Sequence, residues 1–323
     1  AALVEALGFE KVIDVLGALF GLESLDGFRK LKGFDYRSLI VGGSDISAFV
    51  GFGRPDFNRP FTEQNLMGFG LDDVSFGVTV FVQNLPSIST FAAALPGLAV
   101  FASHYAAAGA VFGAAYEAFR NTLPYLFSMK MTVGSVGAYG FGDIFTIQAR
   151  DIVIEANVGT PWLGAYSGAS LANLSSIDFK LSFPAAEGKP AGLEVPTGGT
   201  PVLLDYEKFV IGLKIGFAQV SITDFLHISG SLAFELGPTH QLQVDMGVSQ
   251  QFLDTNASSL NLSNKFSWEF ASYTFGGQNL NASVGLGGPY FSDTNGDGRI
   301  TEADERGTDF IGFVMEEFDF GVA

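Results

Sequence analysis

Apolar and polar residues alternate with a period of two along most of the chain, most clearly over residues 74–82. Successive side chains of a β-strand point to opposite faces, so this alternation predicts half-buried strands. Strands that follow one another closely in sequence favour antiparallel pairing. We therefore predict a mainly β fold, as an antiparallel meander, a sandwich or a solenoid-like repeat. The further predicted strands are residues 144–149, 152–155, 177–183, 211–217, 220–222, 226–234, 242–246, 266–275, 282–286 and 311–322.

Two segments depart from this alternation and predict helices. Residues 3–20 carry apolar side chains three or four positions apart and end at Gly21, and residues 96–121 are rich in Ala and are followed by Pro124. Helical spacing of apolar residues with Gly or Pro just beyond the end is typical of helices. Residues 184–201 contain four Pro and four Gly and predict a loop.

Parts of the sequence recur within the chain. Residues 50–55 match residues 284–289, an offset of 234 positions, and residues 68–78 match residues 312–322, an offset of 244. We interpret residues 1–79, with the N-terminal helix, as the end of one repeat unit. Residues 80–323 are then the following unit, with the helix at 96–121, a β-rich body and the loop at 293–304. Units of this size are domains in themselves, and each contacts its neighbours.

The loop at residues 293–304 has the spacing of an EF-hand-type calcium loop. Oxygen-bearing side chains stand at positions one, three and five, and Gly298 at position six permits the sharp turn. Ile300, at position eight, should pack inward, and residues 301–305 should open a short helix. The alternative is a polar turn that binds no ion. The predicted Ca²⁺ ligands are Asp293, Asn295, Asp297, the backbone carbonyl of Arg299, and Asp304.

Position twelve of this loop is Asp304 rather than Glu, and in this the loop resembles those of dockerin modules and other secreted bacterial proteins. The resemblance covers about 12 residues. Dockerins carry two such loops and this chain has one, so cohesin binding is not implied. With its recurring Gly-Phe and Phe-Gly-Val strands, the chain resembles the giant tandem-repeat secreted or surface proteins of environmental bacteria. That resemblance implies surface display, adhesion or a structural filament. Because the Asp304 side chain is shorter than that of Glu, we expect calcium affinity in the modest extracellular range.

Composition limits the partners. The chain has 34 acidic and 17 basic residues and a net charge of −17, which opposes binding to nucleic acid and to anionic lipid. The same acidity attracts divalent cations or serves solubility alone. The absence of Cys favours export and removes thiolate chemistry. No signal-peptide pattern is present, and we interpret the chain as a piece of a longer protein. The longest apolar stretch, residues 87–126, is interrupted by charged residues and Pro, so we expect no membrane insertion.

Motifs of catalysis are missing from the sequence. It contains no Gly-x-Ser-x-Gly elbow, P-loop or dinucleotide motif, and its three His have no neighbours at metal-ligand spacing. We therefore predict a non-enzymatic, extracellular or cell-surface protein, structural or adhesive, stabilised by calcium and self-associating or contacting neighbouring repeats. The expected junction residues are Phe76, Val78 and Phe81 on one side and Phe318, Phe320 and Val322 on the other. The alternatives are a membrane-linked β-structure, as a barrel or a lipid-carrying groove, and a secreted hydrolase.

Overall fold

A computed structural model describes residues 36–83, 124–142, 144–160, 174–245, 247–256, 263–295 and 299–323. The helices predicted at 3–20 and 96–121 lie outside these residues. The described residues belong to two compact units. The larger comprises Ile40–Thr79, Phe127–Val158 and the described part of Ala169–Ala323, and the smaller holds the outer ends of the first four strands. The loop and surfaces considered below lie in the larger unit.

Long strands make up most of the described chain. The first four are β1 (Tyr36–Phe52), β2 (Met67–Gln83), β3 (Leu126–Tyr139) and β4 (Phe145–Gly159), with a 3-10 turn at Phe61–Glu63 between β1 and β2. A helical turn, α1 (Phe179–Ser182), and a short hairpin, β5 (Leu193–Val195) with β6 (Val202–Leu204), come next. The remaining elements are β7 (Val210–Ile222), β8 (Leu226–Asp245), α2 (Gln250–Asn256), β9 (Lys265–Leu286), β10 (Phe291–Ser292), β11 (Glu305–Arg306) and β12 (Ile311–Val322).

Eight long strands form one antiparallel sheet in the order β1-β2-β3-β4-β7-β8-β9-β12. The order follows the chain, because each long strand pairs with the next long strand in sequence. In the pair β4–β7, for example, the register runs from Phe145 opposite Ile222 to Asn157 opposite Val210. The prediction of a mainly β, antiparallel fold is thus confirmed. The described part also has two short helices, α1 and α2, and neither has the length and apolar content needed to cross a membrane.

Several strands that were predicted separately are joined. Residues 145–149 and 152–155 belong to the single strand β4. Arg150 and Asp151 lie between them, and Asp151 stays in the strand with a left-handed φ of 53°. Asp151 lies against Gly216, where an added Cβ would stand 2.7 Å from the Asp151 Cβ. The absence of a side chain at Gly216 therefore makes room for the Asp151 side chain. In the same way, residues 211–217 and 220–222 form β7, and residues 266–275 and 282–286 form β9.

The strand predicted at residues 177–183 is wrong, because residues 179–182 form α1. Asp178 caps this helical turn, and its Oδ1 accepts a hydrogen bond from the Leu181 N–H at 2.8 Å. Phe179 is fully buried, with its ring 6.0 Å from Phe183 and 6.3 Å from Tyr206. The loop predicted at 184–201 is also corrected in part, since it contains β5.

Residues 174–209, here called the cover segment, pack on one face of the sheet over β1 to β4. Val195 and Leu204 of its hairpin are fully buried. The Tyr206 hydroxyl donates to the Met129 carbonyl at 2.9 Å and so ties the segment to β3. The opposite face carries a second apolar cluster, built on Val74, Val133 and Ile152. The sheet therefore has a covered face in this region and an apolar cluster behind it.

Candidate calcium loop and recurring strand pair

A two-residue ladder closes the base of the 293–304 loop. Phe291 pairs with Arg306, and Ser292 pairs with Glu305. The Arg306 guanidinium lies over the Phe291 ring at 5.1 Å and donates to the carbonyls of Thr301 and Asp304 at 3.2 and 3.0 Å. Phe291 is buried, so the base of the loop is anchored in the protein core.

Asp304 joins the two halves of this loop. Its Oδ1 accepts a hydrogen bond from the Thr294 N–H at 3.0 Å, and its Oδ2 accepts one from the Thr301 N–H at 2.7 Å. These bonds, that from Thr301 above all, hold the pKa of Asp304 below its ordinary value. Burial alone would raise the pKa of Asp304, but these hydrogen bonds outweigh it, so the buried side chain is a charged carboxylate at neutral pH. The residue predicted to close the loop around an ion thus also holds the loop together through backbone donors.

Three of the other four predicted ligands lie in the described part of the chain. Asp293, Asn295 and Arg299 are described, whereas Asp297 lies outside the described residues. The Arg299 side chain forms an ion pair with Asp151 on β4 at 3.1 Å. The predicted calcium ligand is the backbone carbonyl of Arg299, which does not take part in this ion pair. Among the described residues, a set without Asp297, no three His, Cys, Asp or Glu form a metal-binding group. The calcium site stays a prediction.

Two further expectations for the loop have an outcome. Ile300 is 3% exposed, which confirms that position eight packs inward. The short helix expected at residues 301–305 is wrong, because residues 302–304 form a turn and Glu305 belongs to β11. Pairing of Glu305 and Arg306 with β10 requires extended backbone, and this overrides the local helical tendency.

The loop packs against strands that are distant in sequence. Asp293 lines a cavity of about 420 Å³ together with Asp72 of β2, Tyr139 of β3 and Arg150 of β4. The Arg299 ion pair with Asp151 reaches the same region. The loop therefore lies close to the middle strands of the sheet.

His227 is a structural residue beside the base of the loop. Its ring nitrogens lie 3.0 Å from the Ser221 hydroxyl and 2.9 Å from the Ser229 hydroxyl, and its ring packs 5.1 Å from Phe291. Burial lowers the pKa of His227 to about 4, so the ring is neutral at physiological pH. The expectation that it is structural agrees with this environment. His104 and the His240 side chain lie outside the described residues.

The recurring segments of the sequence occupy equivalent strand pairs. Residues 68–78 lie in β2 and pair with β1, and residues 312–322 lie in β12 and pair with β9. An added Cβ on Gly51 would lie 2.6 Å from the Gly68 Cα, and one on Gly285 would lie 2.7 Å from the Gly312 Cα. No side chain fits at such separations, so both pairs need glycine at the same two places.

Backbone conformation matches at these offsets as well. Asp45 and Asn279, 234 positions apart, have φ of 55° and 51°, and Asp73 and Glu317, 244 positions apart, have φ of 52° and 49°. Left-handed backbone is uncommon for residues other than glycine, so a matched set of four is informative. Of the twenty residues 36–55, eight recur 234 positions later, namely those at positions 38, 42, 43, 48, 50, 51, 53 and 55.

Side-chain packing follows the same correspondence. An added Cβ on Gly43 would lie 2.9 Å from the Phe76 ring and 2.9 Å from Ile46. At the equivalent Gly277, it would lie 2.6 Å from the Phe320 ring and 2.8 Å from Leu280. Each pair of strands thus seats a Phe ring over a glycine. The sequence comparison matched residues 50–55 with 284–289 and missed the part before them. The glycines at 42 and 43 align with those at 276 and 277 at the same offset, and they could have extended the match.

No protein-family model, no curated protein and no solved structure matches this chain. Its function must therefore be argued from its own residues and geometry.

Proposed function

We propose that this chain is a non-enzymatic, extracellular or cell-surface repeat protein, structural or adhesive, that is stabilised by calcium and assembles with like units. The observation that carries the proposal is the recurrence of one strand pair, β1–β2, as β9–β12. The two pairs share glycine contacts, left-handed positions and a Phe ring seated over a glycine. Matched backbone conformation at fixed offsets supports a tandem repeat over chance similarity of composition.

The ends of the sheet support assembly. β1 and β12 are the outermost strands in the described sheet, and β12 is exposed along almost its whole length. Its side chains Ile311, Phe313 and Val322 are 79%, 83% and 63% exposed. A long apolar edge strand readily pairs with another chain, and natural β proteins cover such edges. Of the expected junction residues on this strand, Phe318 is also exposed, while Phe320 packs 5.1 Å from Phe275.

Calcium has a clear place in this proposal. The ion would bind in the loop that separates β9 from β12, where the second strand pair has ten more residues than the first. The Arg299 ion pair with Asp151 joins this loop to β4, and Asp293 lines the same cavity as residues of β2, β3 and β4, so an ordered loop would keep this contact with the sheet. The net charge of −17 makes a bound divalent cation electrostatically favourable.

Sedimentation velocity of the 1–323 chain over a range of concentrations tests the proposal. We expect concentration-dependent self-association, reduced by Phe313→Glu, which places a charge on the exposed edge strand. The matched control is Leu181→Glu, at an exposed apolar side chain on α1 away from this edge. A monomer at all concentrations, or equal effects of the two substitutions, would contradict assembly through β12.

A membrane-linked β-structure is the second candidate, favoured by exposed apolar side chains on interior strands. Leu213 on β7 and Ile228 and Phe234 on β8 are 38%, 47% and 39% exposed. Flotation with vesicles of neutral lipid separates the two candidates. Vesicle binding by the wild-type chain and by Phe313→Glu alike would favour the membrane-linked structure, since that surface does not depend on the edge strand.

A further inference from the structure

The β5–β6 hairpin of the cover segment packs on Gly42 and Gly77 of the strand pair β1–β2. An added Cβ on Gly77 would lie 2.9 Å from the Val195 Cβ and 3.1 Å from the Val202 Cβ. One on Gly42 would lie 2.9 Å from the Val195 Cγ1 and would overlap the Pro196 carbonyl oxygen. Val195 is fully buried as a result. Glycine at both positions is therefore what allows the hairpin to reach the sheet.

The equivalent surface of the second strand pair is open. Gly276 corresponds to Gly42 and Gly321 to Gly77, by the offsets of 234 and 244. Among the described residues, a Cβ on Gly321 would meet nothing within 4 Å, and one on Gly276 would have only the Phe320 carbonyl oxygen at 3.2 Å and the Gly321 Cα at 3.9 Å within 4 Å. A Cβ on Gly42 has the same 3.2 Å separation from the Phe76 carbonyl oxygen, so the two strand pairs themselves are alike. They differ in the hairpin that covers one of them.

We propose that the face of β9 and β12 around Gly276 and Gly321 is the docking surface for the hairpin of a further repeat unit, equivalent to residues 193–204. This inference rests on the proposed repeat function and names the contact through which one unit holds the next. The occupant presents a Val equivalent to Val195 to the two glycines. The same unit supplies a strand equivalent to β3 to the outer edge of β12, which has no partner strand among the described residues.

Two observations select this occupant over an unspecified apolar partner. First, the chain itself shows the complex, because Gly42 and Gly77 already hold such a hairpin on an equivalent backbone. Second, glycine weakens an exposed strand and leaves no side chain to pack, so it is expected where another backbone approaches closely. Within the described residues nothing lies within 4 Å of a Cβ placed on Gly321, and a neighbouring unit that packs on this face would explain the glycine there.

A chain extended by its own second unit tests the proposal. Ala323 is equivalent to Thr79 by the offset of 244, so residues 80–323 are added directly after Ala323. The added copy is joined by ligation in isotope-labelled form, so that hydrogen exchange of residues 193–204 can be measured separately in the first and second copies. We expect both hairpins to be protected to a similar degree. Gly321→Val should accelerate exchange in the second hairpin alone, by about tenfold or more.

Single-unit variants provide the matched controls. In the 1–323 chain, Gly77→Val should expose the hairpin and lower the melting temperature, while Gly321→Val should leave both unchanged because its Cβ meets open space. If Gly77→Val prevents folding, Gly77→Ala introduces the same Cβ clash with Val195 in a milder form. Loss of protection in the hairpin for either Gly77 variant supports the docking role assigned to the glycines, and unchanged protection overturns it.

The outcomes separate this inference from the proposed function. An unprotected second hairpin, or one whose exchange is indifferent to Gly321→Val, overturns the hairpin contact even if the 1–323 chain self-associates. A monomeric 1–323 chain contradicts the proposed assembly through the edge strand, whatever the second hairpin does. Protection that is lost on Gly321→Val supports the contact directly.

Discussion

Asn157→Ala tests the connection that holds the cover segment to the sheet. Asn157 is fully buried on β4. Its Nδ2 donates to the carbonyls of Ile177 and Lys208, both at 2.8 Å, and its Oδ1 accepts from the Ser128 hydroxyl at 2.7 Å and from the Ile177 N–H at 3.3 Å. One side chain therefore joins both ends of the cover segment to β3 and β4.

The expected cost follows from the groups left behind. Truncation to Ala leaves two carbonyls, one N–H and one hydroxyl without this partner, and each unsatisfied buried group costs about 1–3 kcal/mol. Water entering the space recovers part of this cost, so we expect the free energy of unfolding to fall by roughly 3–5 kcal/mol. A domain has about 5–15 kcal/mol of stability in total, and the loss is therefore large.

Urea unfolding followed by circular dichroism measures this change, and limited proteolysis of residues 184–201 reports release of the cover segment. The control is Asn58→Ala, at an exposed side chain whose contacts are with Asp56, and its effect should stay within about 0.5 kcal/mol. A loss below about 1 kcal/mol for Asn157→Ala, with no increase in proteolysis, would refute the reasoning.

Two further predictions concern the loop and the histidine beside it. With about 1 mM calcium and a dissociation constant on the order of 10⁻⁴ M, binding should add about 1.4 kcal/mol and raise the melting temperature by a few degrees. Asp293→Ala combined with Asp297→Ala should remove the difference between melts in calcium and in EGTA, and no such difference in the wild type would end the calcium proposal. His227 is neutral in the fold, so its contribution to stability is complete above pH 6.5 and is lost as the pH falls toward 4. In urea melts across this range, the stability gap between wild type and His227→Gln should shrink by up to about 3 kcal/mol, and a constant gap would contradict the burial argument.

What the sequence by itself determined is mostly local. Period-two alternation depends only on which face each side chain occupies, so it located most of β7, β8, β9 and β12. The inward packing of Ile300 followed from the spacing of its loop in the same way. The recurring segments at 68–78 and 312–322 were also visible, because both strands keep glycine at the places where the backbone needs it.

The remaining features were decided by contacts between residues far apart in sequence. Local alternation favoured a strand at 177–183, yet Phe179 is buried beside Tyr206 in a helical turn that Asp178 caps. Residues 301–305 have helical character, yet pairing with β10 draws Glu305 into a strand. Tertiary packing overrides local preference when it buries more apolar surface or satisfies more backbone groups.

The surfaces on which the proposed assembly depends were also decided by such contacts. Gly77 and Gly321 stand in the same Phe-Gly-Val sequence, and nothing local distinguishes them. Only the fold brings Val195, more than one hundred positions from Gly77, against one glycine, while no described residue covers the other. Coverage of a sheet face depends on where the rest of the chain packs, and a periodic pattern of side chains carries no information about that.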